Sequence, residues 1–214
     1  MFLFTTVGVA QNLTVISYNI RYNSQSDGED IWDLRKGELV GQINQHSPDS
    51  FGVQEATQIQ MQYILEALPE YAYVGVGRDN GATKGEYSAV FYLKEKFKLL
   101  ESKTFWLSET PEEVSVGWDA ALPRICTYAQ FKEHTTGRVF WHFNTHFDHV
   151  GKAARANSAL LIIEKIKSLV STESVFVLTG DFNASPNELP ITHLKNAFID
   201  PLEYIELSGP EGTF

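Results

Sequence analysis

Hydrophobic positions recur along this chain with two periods, and the switches between them mark out its elements. Residues 13–20, L-T-V-I-S-Y-N-I, alternate and are β-rich, the pattern of a central strand that carries an amide, Asn19, near its end. Over residues 33–46, Leu39, Val40 and Ile43 fall at helical spacing, and Ser47-Pro48 ends that helix because the residue before a proline avoids helical backbone. Residues 49–55 form a short strand that finishes on Glu55. Thr57 and Gln60 then stand at capping-box spacing before a second helix faced by Met61, Ile64, Leu65 and Leu68.

Residues 72–77, 86–93, 97–100 and 125–131 read as strands separated by turn signals such as Asp79-Asn80-Gly81. Residues 139–148 alternate strictly, with Trp141, Phe143, Thr145 and Phe147 on one side and His142, Asn144, His146 and Asp148 on the other. The clearest helix covers 152–170, its face given by Ala156, Ala159, Leu160, Ile163, Ile166 and Val170. It leads into V-F-V-L-T-G-D-F-N-A-S-P at 175–186, a buried strand broken by Gly180 ahead of Asp181 and Asn183. Strands outnumber helices, and the helices come singly between them. That order predicts an α/β (α+β) fold of two packed sheets with helices on their outer faces.

Four of these strands end in polar groups: Asn19, Glu55, His146, and Asp181 with Asn183. If the sheets set their strand ends along one rim, the groups meet. Each also has a plain structural explanation. Asn19 suits a satisfied buried amide, Glu55 a charge before the helix at Thr57, His146 a core histidine, and G-D-x-N a turn with an Asx cap. His142, His146 and His149 suggest zinc, but strand parity puts His149 on the face opposite the other two, and no cysteine is near.

The chain has 214 residues, 43% hydrophobic and 21% charged, with no repeat, low-complexity tract or linker, so one domain is expected. Residues 109–123 read as a long surface loop. Seventeen basic against 27 acidic residues give a formal charge of −10, which disfavours duplex DNA but still admits a divalent cation and a small phosphate. The lone Cys126 forms no internal disulfide and reads as a small buried hydrophobe. Residues 1–11 read either as an export signal lacking a basic start, which would place the protein outside the cytoplasm, or as a first strand or arm; they are too short to span a membrane.

Taken in order, S-Y-N-I-R, V-Q-E, N-T-H-F-D-H and G-D-F-N-A-S-P resemble the endonuclease/exonuclease/phosphatase superfamily, the deoxyribonuclease I-like group. The resemblance implies a four-layer α/β/β/α sandwich and a Mg2+- or Mn2+-dependent phosphoesterase. It implies Glu55 as principal metal ligand, with Asn19 beside metal and phosphate. Asp181 would position or deprotonate water, Asn183 would orient it, His146 would be the first family histidine, and Glu86 its acidic partner. Arg124 is either a phosphate contact or a surface ion pair.

The chain stops at Gly209-Pro210-Glu211-Gly212-Thr213-Phe214, ahead of the Ser-Asp-His segment that the resemblance leads one to expect. It therefore reads as a C-terminally incomplete member, over residues 12–214, lacking its final strands. The expected activity is hydrolysis of phosphodiester bonds in a small or lipid-derived substrate by a monomer. The alternatives are a nuclease or deadenylase on single-stranded nucleic acid, and a catalytically inactive binding domain of the same fold.

Overall fold

Two four-stranded sheets lie face to face in the computed structural model, which describes residues 12–204. The first half of the chain gives β1 (Val15–Asn19), α1 (Trp32–His46), β2 (Ser50–Ala56), α2 (Gln58–Ala67), β3 (Tyr71–Val74) and β4 (Tyr87–Leu93), with strand order β1-β2-β4-β3. The second half gives β5 (Phe97–Trp106), β6 (Ile125–Glu133), β7 (Val139–His146), α3 (Lys152–Leu169), β8 (Val175–Asp181) and α4 (Leu189–Ala197), with order β5-β6-β7-β8. Each sheet has one parallel pair, β1 with β2 and β7 with β8, and each pair is joined through a helix because parallel strands need a long crossover. All four strands of these pairs therefore end at one rim.

Helices cover the outer faces, completing the α/β/β/α sandwich that the element order predicts. Leu39, Ile43, Met61 and Ile64 pack with Phe51, Val53 and Phe91 of the first sheet. Ile162, Ile166 and Leu194 pack with Trp141, Phe143 and Phe147 of the second. Burying each such side chain stabilises the fold by about 2 kcal/mol, so the helices are held chiefly by their apolar faces.

Between the sheets the layer is apolar at one end, where Val90, Phe97, Ala129, Phe131 and Phe140 cluster. Toward the strand-end rim it becomes polar, and its hydrogen bonds can be followed donor by donor. Ser50 gives its hydroxyl hydrogen to the Phe91 carbonyl at 2.7 Å, so His142 Nδ1–H donates to Ser50 Oγ at 2.8 Å. His142 Nε2 then accepts from the Thr179 hydroxyl at 2.8 Å. The Asn144 amide donates to the Val53 and Ala89 carbonyls, each at 2.9 Å, and its oxygen accepts from Gln54 at 2.6 Å. Burial pushes the His142 imidazole down to about 3, so it stays neutral. A β-carbon on Gly52 would lie 2.4 Å from Asn144 Oδ1 and 2.5 Å from Thr179 Oγ1, so glycine leaves the room this layer occupies.

Several expected boundaries shift. β5 runs to Trp106 instead of stopping at residue 100, because it is an outer strand whose exposed stretch is filled with charged residues, and a bulge between Leu99 and Glu101 breaks the period. On α3, Leu160 is exposed and Ile162 buried, so the helix faces its sheet through Ala154, Ser158, Ile162 and Ile166 at i,i+4 spacing. Leu65 on α2 is likewise exposed. β7 stops at His146, so strand parity does not extend to His149. The expectations for residues 1–11 and for the segment after residue 204 lie outside the described residues. Among those described, no helix is long and apolar enough to cross a membrane.

Candidate active site

Five of the seven residues singled out from the sequence meet where β1, β2, β7 and β8 end. The two sheets are tied together there by the Gly180 N–H, which donates to Ser17 Oγ at 3.1 Å. The Arg21 N–H donates to Asn19 Oδ1 at 3.0 Å, which fixes the orientation of that amide. Its Nδ2 hydrogens then go to Glu55 Oε1 at 3.0 Å and Asp181 Oδ2 at 2.8 Å. Asn19 thus holds two carboxylates in place through its nitrogen, while its oxygen is engaged by the backbone. It lies beside the two acids, with its oxygen turned to the backbone and its nitrogen toward them.

The second amide is fixed in the same way. Asn183 Nδ2 donates to the Phe147 carbonyl at 2.9 Å, which can only accept, and its other hydrogen faces His146 Nε2 at 3.0 Å. His146 Nε2 is therefore the unprotonated nitrogen, and the ring proton sits on Nδ1. Burial, reinforced by the charge of Arg124, pushes this imidazole down to about 4. The Asn183 N–H also closes an Asx turn onto Asp181 Oδ1 at 3.0 Å, with Asn183 at φ +45°. Asn183 therefore leaves the extended backbone of β8, and its left-handed conformation goes with the Asx turn that closes back onto Asp181.

Glu55 has φ +64°, a strained value for a residue with a Cβ, where β2 is irregular between Val53 and Ala56. Its Oε2 accepts the Tyr22 N–H at 3.1 Å. Gln60 Nε2 donates to the Arg21 carbonyl at 2.8 Å, while its Oε1 accepts from the Asn23 N–H and the Thr57 N–H, each at 3.0 Å. The capping residue of α2 thereby anchors the turn after β1 beside Glu55.

Glu86 stands with its Oε2 3.9 Å from His146 Nδ1, too far for a hydrogen bond. Its partner is Arg78, which donates to both carboxylate oxygens at 2.7 and 2.9 Å. Glu86 therefore faces His146 at ion-pair distance while its hydrogen bonds go to Arg78. Burial raises the Glu86 carboxyl against the opposing pull of Arg78 and Arg124. Arg78 went unrecognised because Asp79-Asn80-Gly81 served only as a turn marker. An arginine and a glutamate flanking a turn were the available signal.

Arg124 does form an ion pair, but an interior one: its Nε donates to Asp148 Oδ1 at 3.2 Å, with side chains 4% and 1% exposed. Its Nη2 donates to His149 Nδ1 at 2.9 Å. Asp148, also unassigned from sequence, accepts at Oδ2 from the N–H groups of Ala121, Val150 and Gly151. Burial would raise its carboxyl, but these backbone donors and Arg124 prevail and hold it at about 2.

Glu55, His146 and Asp181 present ligand atoms that all lie within 4.8 Å of one another. The two hard carboxylate oxygens suit Mg2+ or Mn2+. The buried Nδ1 of His146 has no hydrogen-bond partner, and the nearest carboxylate oxygen, Glu86 Oε2, stands 3.9 Å away. The three-histidine zinc set does not assemble, since His142 is consumed by Ser50 and Thr179 between the sheets.

A family model described as Endonuclease/Exonuclease/phosphatase family matches residues 16–210. Two solved structures from Bacteroides thetaiotaomicron are each 46% identical. One, described as an endonuclease/exonuclease/phosphatase family protein, superposes with TM-score 0.82 over 85% of this chain and 66% of its own. The other, a mannosyl-6-phosphatase, superposes with TM-score 0.83 over 85% and 69%. An uncharacterized protein of Acanthamoeba polyphaga mimivirus is 31% identical over 178 residues, 80% of this chain and 66% of that protein. The chain thus spans about two thirds of the length of these three proteins.

Proposed function

Because the chain belongs to the endonuclease/exonuclease/phosphatase family, we propose that it acts as a divalent-metal-dependent phosphoesterase on a small phosphate ester. The observation that carries this is the hydrogen-bonded meeting of Asn19, Glu55, His146, Asp181 and Asn183 at one rim. Glu55, with Asp181, would hold the cation, and His146, whose Nε2 is engaged by the Asn183 amide, would stand beside it. Once bound, the cation supplies Lewis-acid stabilisation of charge on a phosphoryl oxygen. Asn19 keeps Glu55 and Asp181 apart at a fixed spacing. Asp181 Oδ1 is held by the Asn183 N–H, which orients the carboxylate to accept a proton from water. The Asn183 amide positions His146 Nε2 as an acceptor rather than a charged donor.

The net charge of −10 argues against a polyanionic substrate. The 46% identity to a mannosyl-6-phosphatase supports a sugar phosphate monoester over the diester favoured from sequence. The test is phosphate release from mannose 6-phosphate, compared with a glycosyl phosphodiester, with Mg2+ or Mn2+ present. Excess EDTA and Glu55→Gln should each abolish release. EDTA-insensitive turnover would sink the metal-dependent mechanism, and preference for the diester would sink the monoester assignment.

A further inference from the structure

A phosphate group brought to Glu55 and Asp181 needs positive charge besides that of a cation, and the arginines of this region differ in what they have left to give. Arg78 gives Nη1 and Nη2 to the two oxygens of Glu86 at 2.7 and 2.9 Å. Arg124, with a side chain 4% exposed, is paired with Asp148 and donates to His149. Arg35 spends its three nitrogens on the main-chain carbonyls of Asp30, Ile20 and Arg21. Arg21 is the open one. Its side chain is 51% exposed, and its Nη1 makes no hydrogen bond among the described residues while standing 3.9 Å from Glu55 Oε2.

The Arg21 guanidinium is nevertheless held in place. Nε and Nη2 donate to the two oxygens of Asp27 at 3.2 and 2.9 Å, which fixes one edge, and the Tyr22 ring lies against its face with the centroid 4.3 Å from Cζ. The main chain is tied directly to the acid site. The Arg21 N–H donates to Asn19 Oδ1 at 3.0 Å, and the next N–H, that of Tyr22, donates to Glu55 Oε2 at 3.1 Å. The Arg21 carbonyl accepts from Gln60 Nε2 at 2.8 Å and from Arg35 Nη2 at 2.6 Å. Arg21 itself has φ +54°, a strained value for a residue with a Cβ, kept at the turn that sets it against Glu55.

A gap of 3.9 Å is too long for a hydrogen bond to Glu55 itself. It suits an oxygen next to Glu55. Two neighbouring oxygens on one octahedral Mg2+ stand roughly 3 Å apart, so a phosphoryl oxygen sharing a cation with Glu55 comes within reach of a donor this close to that carboxylate. We propose that Arg21 is a substrate-binding residue: its Nη1 donates a hydrogen bond to a non-bridging oxygen of the phosphate held at Glu55 and Asp181. This rests on the phosphoesterase reading and adds to it the positive group that the chain itself supplies. A planar guanidinium already set by Asp27 and Tyr22 loses little freedom in making that bond, which a flexible lysine cannot match.

The test is calorimetric titration of the 214-residue chain, first with Mg2+ alone and then, in Mg2+, with inorganic phosphate. Arg21→Ala should weaken phosphate binding about tenfold or more, the effect of losing a charge-assisted hydrogen bond, and Arg21→Lys should stay nearer to Arg21→Ala than to wild type. Mg2+ alone should bind Arg21→Ala at least as tightly as wild type, since a positive neighbour of Glu55 has been removed. Phosphate affinity unchanged in Arg21→Ala, or fully restored by lysine, overturns the directed contact and leaves the phosphoesterase reading standing. Weaker Mg2+ binding by Arg21→Ala also overturns it, because Arg21 would then be supporting Glu55 and not the phosphate. Failure of wild type to bind phosphate in Mg2+ overturns both. Circular dichroism of each variant separates a lost contact from a lost fold.

Discussion

Asn19 donates to Asp181 across 162 positions of sequence at 2.8 Å, and the same amide nitrogen serves Glu55. Two carboxylates that would otherwise repel are bridged by one neutral donor, so the site is assembled before any cation arrives. Asn19→Ala should therefore lower the melting temperature in EDTA by about 3 °C, the effect of losing roughly 1 kcal/mol in a chain of this size. Added Mg2+ should recover part of that loss by binding the folded state. Thermal unfolding with and without Mg2+ checks this, and an EDTA-only melting point identical to wild type would remove the bridging role.

Glu55 holds φ +64° at the cost of backbone strain. Glu55→Gly should unfold at a higher denaturant midpoint than Glu55→Ala, by about 1 kcal/mol, since glycine adopts that conformation freely. Both variants should lose metal-dependent stabilisation. Urea unfolding of the pair decides it, and an Ala variant at least as stable as Gly would mean the strain is not stored there.

Gly52 faces Asn144 and Thr179 with no space for a methyl group. Gly52→Ala should destabilise the fold by about 2 kcal/mol, the usual cost of overpacking. Because the inter-sheet polar layer would have to shift, His142 should show altered imidazole NMR resonances in any protein that still folds. Unchanged His142 resonances would contradict that coupling.

Asp148 and Arg124 neutralise each other in the interior, at 1% and 4% exposure. Asp148→Ala leaves the guanidinium buried without its carboxylate and frees three backbone N–H groups, so a loss of about 3 kcal/mol is expected. Chemical denaturation gives the value directly. A loss under a few tenths would show that water replaces the carboxylate at no cost.

Cys126 is fully buried, and burial drives its thiol far above the ordinary range. It should stay unreactive to a thiol reagent in the native protein and react with one equivalent once denaturant unfolds the chain. Rapid labelling of native protein would place the second sheet's core open to solvent.

The alternating run in β7 sorted Trp141, Phe143 and Phe147 toward α3, and His142, Asn144 and His146 toward the other sheet, because a strand's two faces are encoded locally. The helix-period segments and the capping pair Thr57 and Gln60 were legible for the same reason. So was the polar character of four strand ends, since each lies within a few residues of its own pattern. What those ends do together was not local. Asn19 and Asp181 meet only because parallel pairing of β1 with β2 and of β7 with β8 brings four strand ends to one rim, and the sheets then pack face to face. The direction of the Asn19 amide depends on the Arg21 N–H, the protonation of His146 on Asn183 and Phe147, and the partner of Glu86 on a turn bringing Arg78 across. Periodicity determines which way a side chain faces; which atom it meets depends on where distant segments lie, and only the tertiary structure decided that.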